Sequence, residues 1–189
     1  VAVFALWKSI NLSSFLRDMG IDEWILLVVK LSGRALATRI QKVMFILWKE
    51  HRVGEWELYF FPYKYGPWSY EVSDALKKLV GEGALAVETE QRAREGRAHT
   101  GAVRVYSLTE RGRAMAGKAE RRALLKSPLA YLTARRWARA PLEELIVYVY
   151  EKYPEYTTRS LLIFDYLRLA ERHKLLEIRA TAKAPQNCN

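Results

Sequence analysis

Cysteine is nearly absent from this sequence: Cys188, in a polar tail, is the only one in 189 residues. An intramolecular disulfide is therefore impossible, which fits a reducing compartment and a cytoplasmic protein. Histidine is scarce too. His51, His99 and His173 stand far apart without metal-ligand spacing, so no metal site is expected. Missing as well are a phosphate-binding loop and a serine nucleophile elbow. Gly81-Glu82-Gly83-Ala84-Leu85-Ala86 fits a loose dinucleotide pattern, but it follows a helix and precedes a strand, the reverse of what a nucleotide fold needs. Neither catalysis nor a cofactor is expected. Asn11-Leu12-Ser13 is a glycosylation triplet by composition alone.

No apolar run reaches the roughly 20 residues of a membrane span. The nearest candidate, Trp24 to Val29, is stopped by Lys30. There is no lipidation signal. Val1 to Leu6 is apolar but lacks a basic start and a cleavage site, so a signal peptide is rejected and no membrane partner is expected. The first methionine is Met19, and residues 1–18 follow either from an unusual start codon or from an upstream extension. Asparagine and glutamine are scarce while arginine and glutamate abound, which resembles thermophile usage.

What the chain does have is apolar residues, half of the total, enough for a core. It also has a net charge of +10, unevenly placed. From Arg92 to Arg139 there are 11 Arg and 2 Lys against 3 Glu, which accounts for the whole excess. Concentrated positive charge favours a polyanion through counterion release. The plainer alternative is that arginine-rich helices keep a heat-adapted protein soluble.

Along the chain, Asp22 to Leu31 reads as a short helix broken at Ser32-Gly33. Thr38 is placed to cap a second, Arg39 to His51, with Ile40, Val43, Met44, Leu47 and Trp48 on one face. Glu55 to Pro67 crowds aromatics between prolines, which permits one short strand and forbids a long one. Ser69 caps a third helix, with Val72, Ala75, Leu76, Leu79 and Val80 inward and Gly81 and Gly83 as its stop. Ala84 to Glu90 and Val103 to Leu108 form a hairpin around a basic loop, Arg92 to Gly101. Thr109 caps a helix to about Leu125, with Ala114, Met115 and Ala119 facing inward. Pro141 opens another helix that ends before Pro154, and Thr157 or Thr158 a last one to about Leu176. The order predicts an α+β protein, mainly α with a small β-hairpin: a winged helix-turn-helix with additional C-terminal helices. Its parts are an N-terminal extension (1–21), a winged-helix domain (22–125), a C-terminal helical part packed on it (126–180) and a flexible tail (181–189).

Arg39-Ile40-Gln41-Lys42-Val43-Met44-Phe45-Ile46-Leu47 resembles the "LQKLLFLL" helix of the YwgA-like and Panacea (SocA-type antitoxin) family. Tyr63-Lys64-Tyr65-Gly66-Pro67-Trp68-Ser69 is similar to that family's "YGPFS" turn, and Leu76 to Leu85 and Tyr106 to Gly112 to its later parts. The resemblance covers roughly residues 35 to 117. It implies a winged-helix-like antitoxin, regulator or chaperone-linked interaction module without catalysis. The basic wing and the helical C-terminal third depart from it.

Three functions remain open. The first is a DNA-binding transcriptional regulator that holds double-stranded DNA through Arg92, Arg94, Arg97 and Arg104 of the wing, Arg135, Arg136 and Arg139, and Lys77 and Lys78. Against base reading by the third helix stand Glu71 and Asp74, which repel phosphate near its N-terminus. The second is a protein-interaction module for a toxin or adaptor partner, with Trp56, Tyr63, Tyr65, Trp68 and Tyr70 as an interaction surface or pocket. These aromatics are otherwise core. The third is a homodimer through the C-terminal helices, where Tyr148, Tyr150, Tyr153 and Tyr156 pack either between copies or within the chain.

Overall fold

A computed structural model describes residues 19–94 and 97–161, with residues 92–94 and 97–101 followed by their backbone alone. The expected N-terminal extension before Met19, most of the last helix and the tail lie outside the described residues. Those described form a mainly helical structure with a small antiparallel sheet.

Helix α1 (Ile21–Ser32) is apolar nearly all round: Trp24 to Val29 and Leu31 are all buried. Such a helix has to lie inside the fold. The sheet and helices α2, α3, α4 and α5 close around it. Gly33, with φ 71°, ends α1 and turns the chain into β1 (Arg34–Leu36). Helix α2 (Ala37–His51) follows directly. It starts earlier than the sequence predicts, and Thr38 is inside it rather than capping it, because the strand delivers the chain already extended at Leu36.

The aromatic stretch makes two short strands, β2 (Phe61–Tyr63) and β3 (Gly66–Trp68), not one. Helix α3 (Tyr70–Gly81) is capped as expected, with the Ser69 hydroxyl accepting from the Val72 amide at 3.3 Å. Strands β4 (Leu85–Arg94) and β5 (Arg97–Leu108) then pair from Leu85 opposite Leu108 out to Arg94 opposite Arg97. The predicted basic loop is thus mostly strand, carried past an irregularity between Arg92 and Arg94. Strand β1 lies on the other edge of β5, Arg34 opposite Ser107, so the sheet order is β1-β5-β4.

Helix α4 (Glu110–Lys126) buries Gly112, Ala116, Ala119 and Ala123. Ala114 is exposed, contrary to the predicted inward face. Helices α5 (Pro128–Arg139) and α6 (Leu142–Lys152) and a single 3-10 turn (Pro154–Tyr156) complete the described chain. One hydrophobic core runs through all of it, joining α1 and α2 to Ala134 and Trp137 of α5 and Leu145, Val149 and Tyr150 of α6. The described residues after 126 therefore pack on the same core as those before.

Candidate nucleic-acid interface

Two polar side chains of α2 point inward, and both hold the turn that leads into α3. The Gln41 amide donates to the Ser69 carbonyl at 3.0 Å and accepts from the Ser69 amide at 3.0 Å. Lys42 is fully buried, and its ammonium donates to the Tyr65 carbonyl. Burial pushes its pKa down to about 7. Gly66 completes this latch. Its φ of +87° is left-handed, and a Cβ there would come within 2.9 Å of the Tyr150 ring. The Tyr-Gly-Pro-Trp-Ser motif is therefore a buried clasp between α2, β3 and α6. No periodicity argument reveals that Lys42 faces inward; the only signal is that it sits between Ile40 and Val43 in a helix enclosed on most sides.

The surface around α3 is electrically balanced or slightly acidic. Lys77 pairs with Asp74 at 2.8 Å, and Lys78 reaches across to Asp22 of α1 at 2.6 Å. Glu71 accepts from the Ser69 hydroxyl at 2.5 Å. Exposed pairs of this kind add little to stability. Their consequence is that the two lysines expected to meet DNA already have carboxylate partners. A groove of about 520 Å³ runs beside them, lined by Gly20, Ile21, Asp22, Glu57, Asp74, Ala75 and Lys78.

The other side of the molecule is built differently. Thr109 caps α4: its hydroxyl donates to the Gly83 carbonyl at 2.7 Å and accepts from the Gly112 amide at 3.0 Å. Gly112 lies so close to the hairpin base that a Cβ would stand 2.0 Å from the Ala84 carbonyl oxygen. This clasp fixes α4 against the foot of β4. Arg104 of β5, Arg111, Arg113, Lys118 and Arg121 of α4, and Arg135, Arg136 and Arg139 of α5 are all exposed. Among the described residues none of these eight cations is in an ion pair. Arg92, Arg94 and Arg97 lie on the strands near the hairpin tip, with their side chains outside those described. The acids of the same strand are engaged: Arg34 pairs with Glu88 at 2.6 Å and Glu90 at 3.1 Å.

The aromatic stretch divides. Phe60 is buried against Phe45 and Trp48. Most of the rest lies at the surface, contrary to the core expectation. Trp56 is 93% exposed. Tyr59, Phe61 and Tyr63 follow one another at 6.5 and 6.0 Å, Phe61 meets Tyr70 at 5.1 Å, and Tyr63 meets Trp68 at 5.8 Å. Tyr65 is half-exposed beside them. Of the predicted set, Trp56 and Tyr70 are largely exposed, Tyr63 is exposed to the same extent as Tyr65, and Trp68 is half-buried.

The C-terminal tyrosines pack within the chain. Tyr148, Lys152 and Tyr153 all donate to one oxygen of Glu50, at 2.6, 3.0 and 2.9 Å. Burial raises the Glu50 pKa, but these bonds outweigh it and the net shift is downward. Tyr156 stacks on Phe45 at 4.8 Å, and Tyr150 bonds Ser160.

No family model matches this sequence, and no curated protein matches it. Among the described residues, no helix is long and apolar enough to cross a membrane, and no cluster of His, Cys, Asp or Glu could hold a metal ion.

Proposed function

We propose that the chain is a winged-helix DNA-binding protein, of transcription-regulator type, that grips the duplex backbone with its hairpin, α4 and α5 rather than reading bases with α3. The order helix, strand, helix, helix, hairpin, with the first strand on the edge of the hairpin, supports the winged helix. One observation carries the functional reading: among the described residues, the exposed cations of β5, α4 and α5 form no ion pair, whereas both lysines of α3 are paired. Unpaired cations release counterions on meeting phosphate; paired ones have less to gain. The contacts are assigned to Arg92, Arg94, Arg97 and Arg104 of the hairpin, Arg111, Arg113, Lys118 and Arg121 of α4, and Arg135, Arg136 and Arg139 of α5. Lys77 and Lys78 are left out of them. Fluorescence anisotropy with a labelled duplex checks this. Binding that weakens steeply with salt is expected, and reversing Arg94, Arg97 and Arg104 to Glu should weaken it further. Low-salt binding indifferent to that reversal would overturn the reading.

The exposed aromatic surface favours a second reading, a protein-interaction module of antitoxin or adaptor type. Interface cores are rich in Tyr, Trp and Phe, and Trp56, Tyr59, Tyr63 and Tyr70 are exposed, the three tyrosines linked through the Phe61 ring. Co-purification from the native host separates the two readings: a retained protein partner that Trp56→Ala and Tyr59→Ala release would favour the second. The family resemblance is compatible with either. A homodimer through the C-terminal helices would have to use groups other than Tyr148, Tyr150, Tyr153 and Tyr156, which are engaged within the chain.

A further inference from the structure

Helices α4 and α5 meet at a single residue, Ser127, and four leucines stand out around that joint. Leu124 is 47% exposed, Leu125 70%, Leu129 70% and Leu132 55%. The core-facing sides of both helices are filled by other residues, chiefly Ala116, Ala119, Ala123, Ala134 and Trp137. Single exposed leucines need no explanation, but four within nine residues of chain, on either side of one helix joint, do. Side chains this exposed protrude; they do not line a groove. Such a patch inserts into a partner instead of receiving one.

Away from the joint, cations take over the same exposed strips. On α4, Arg121 precedes Leu124 and Leu125 at the three- and four-residue spacing of one helix face. On α5, Leu129 and Leu132 continue into Arg136 and Arg139, with Arg135 alongside. The corner is therefore an apolar apex between two cationic limbs.

We propose that this corner docks the protein on the surface of an anionic lipid bilayer. The four leucines enter the boundary between headgroups and acyl chains, and Arg121, Arg135, Arg136 and Arg139 meet the lipid phosphates. Charge selects this occupant. A second copy of the corner would set these arginines against their own counterparts. The chain's own residues 162–189 hold five Lys and Arg against three Asp and Glu, and so offer no complementary charge. An anionic bilayer supplies both an apolar interior and a negative surface. The expectation of no membrane partner rested on the lack of a spanning segment, and surface docking needs none. The inference stands apart from the DNA reading: it shares that reading's arginines, but DNA makes no use of the leucines.

The test is co-sedimentation of the full chain at physiological salt with vesicles of phosphatidylcholine containing about 30% phosphatidylglycerol, and with pure phosphatidylcholine. Binding to the anionic vesicles alone is expected. The double variant Leu125→Ser/Leu129→Ser, exposed and so harmless to folding, should weaken it about tenfold or more while duplex binding stays within about twofold. Vesicle binding that is absent, or undiminished in the double variant, overturns the proposal. So does a double variant that loses DNA and vesicle binding in parallel, or one whose only change is a lost self-association. If DNA is never bound but leucine-dependent vesicle binding is seen, the regulator reading falls and this one holds.

Discussion

Helices α3 and α5 both carry cations on exposed faces, and the fold treats them in opposite ways. On α3, Lys77 and Lys78 are each tied to an aspartate, and Glu71 bonds the capping serine. On α5, Arg135, Arg136 and Arg139 are exposed and form no ion pair among the described residues, Arg136 lying over the Trp137 ring. The difference teaches that the position of a helix in a fold does not decide what it binds. Helix α3 is poorly suited to phosphate because its lysines are engaged by neighbours. Helix α5 is better suited because, among the described residues, its arginines form no ion pair. The two sides are also held by different devices: the α3 side by the buried latch of Gln41, Lys42 and Gly66, and the α4–α5 side by the clasp of Thr109 and Gly112 on Ala84.

Disabling one device at a time sharpens this comparison. The largest effect is expected at Lys42. Its amine loses a proton near pH 7 in the folded chain but only near 10.5 in the unfolded one. Between those values the unfolded state binds more protons, so stability should rise with pH, by roughly 5 kcal/mol over the full window. Urea unfolding at several pH values, for the wild type and Lys42→Met, measures it. The variant should lack this rise, and its affinity for DNA should be unchanged.

Gly112→Ala comes next. Its methyl group would meet a backbone carbonyl that cannot move without shifting β4, costing about 3 kcal/mol. Because the clasp orients α4, DNA affinity of the folded fraction should fall too. Gly66→Ala should cost about 2 kcal/mol, from a left-handed φ and overlap with Tyr150, and leave DNA affinity alone. Thr109→Ala removes one cap and should cost about 1 kcal/mol by the same unfolding assay. If the latch variants weakened DNA binding and the clasp variants did not, the division into two sides would be wrong.

Much of the fold was legible in the sequence because it is set locally. Ser69 and Thr109 cap helices through hydroxyls three residues from their partners, and the apolar positions of α2 and α3 recur at helical spacing. What was missed depends on distant partners. Strand β1 is three residues long and exists only because β5, about seventy residues later, pairs with it. The hairpin runs further than predicted because polar and arginine-rich strands show no alternation of apolar residues. Helix α5 has no apolar periodicity to announce it, since its inward face is mostly alanine set between arginines. As for the candidate site, the pairing of Lys77 with Asp74 follows from spacing. That of Lys78 with Asp22 does not, and it changes what α3 can do.

The claim that phosphate is gripped away from α3 is tested most directly by the salt dependence of duplex binding. Anisotropy titrations across a range of salt should compare the wild type, Arg135→Ala/Arg136→Ala/Arg139→Ala and Lys77→Ala/Lys78→Ala. Each lost phosphate contact should lower the log–log slope by about 0.9. The arginine variant is expected to lose about 2 to 3 from the slope, and the lysine variant less than about 0.5. A slope that falls with the lysines and holds without the arginines would contradict the account.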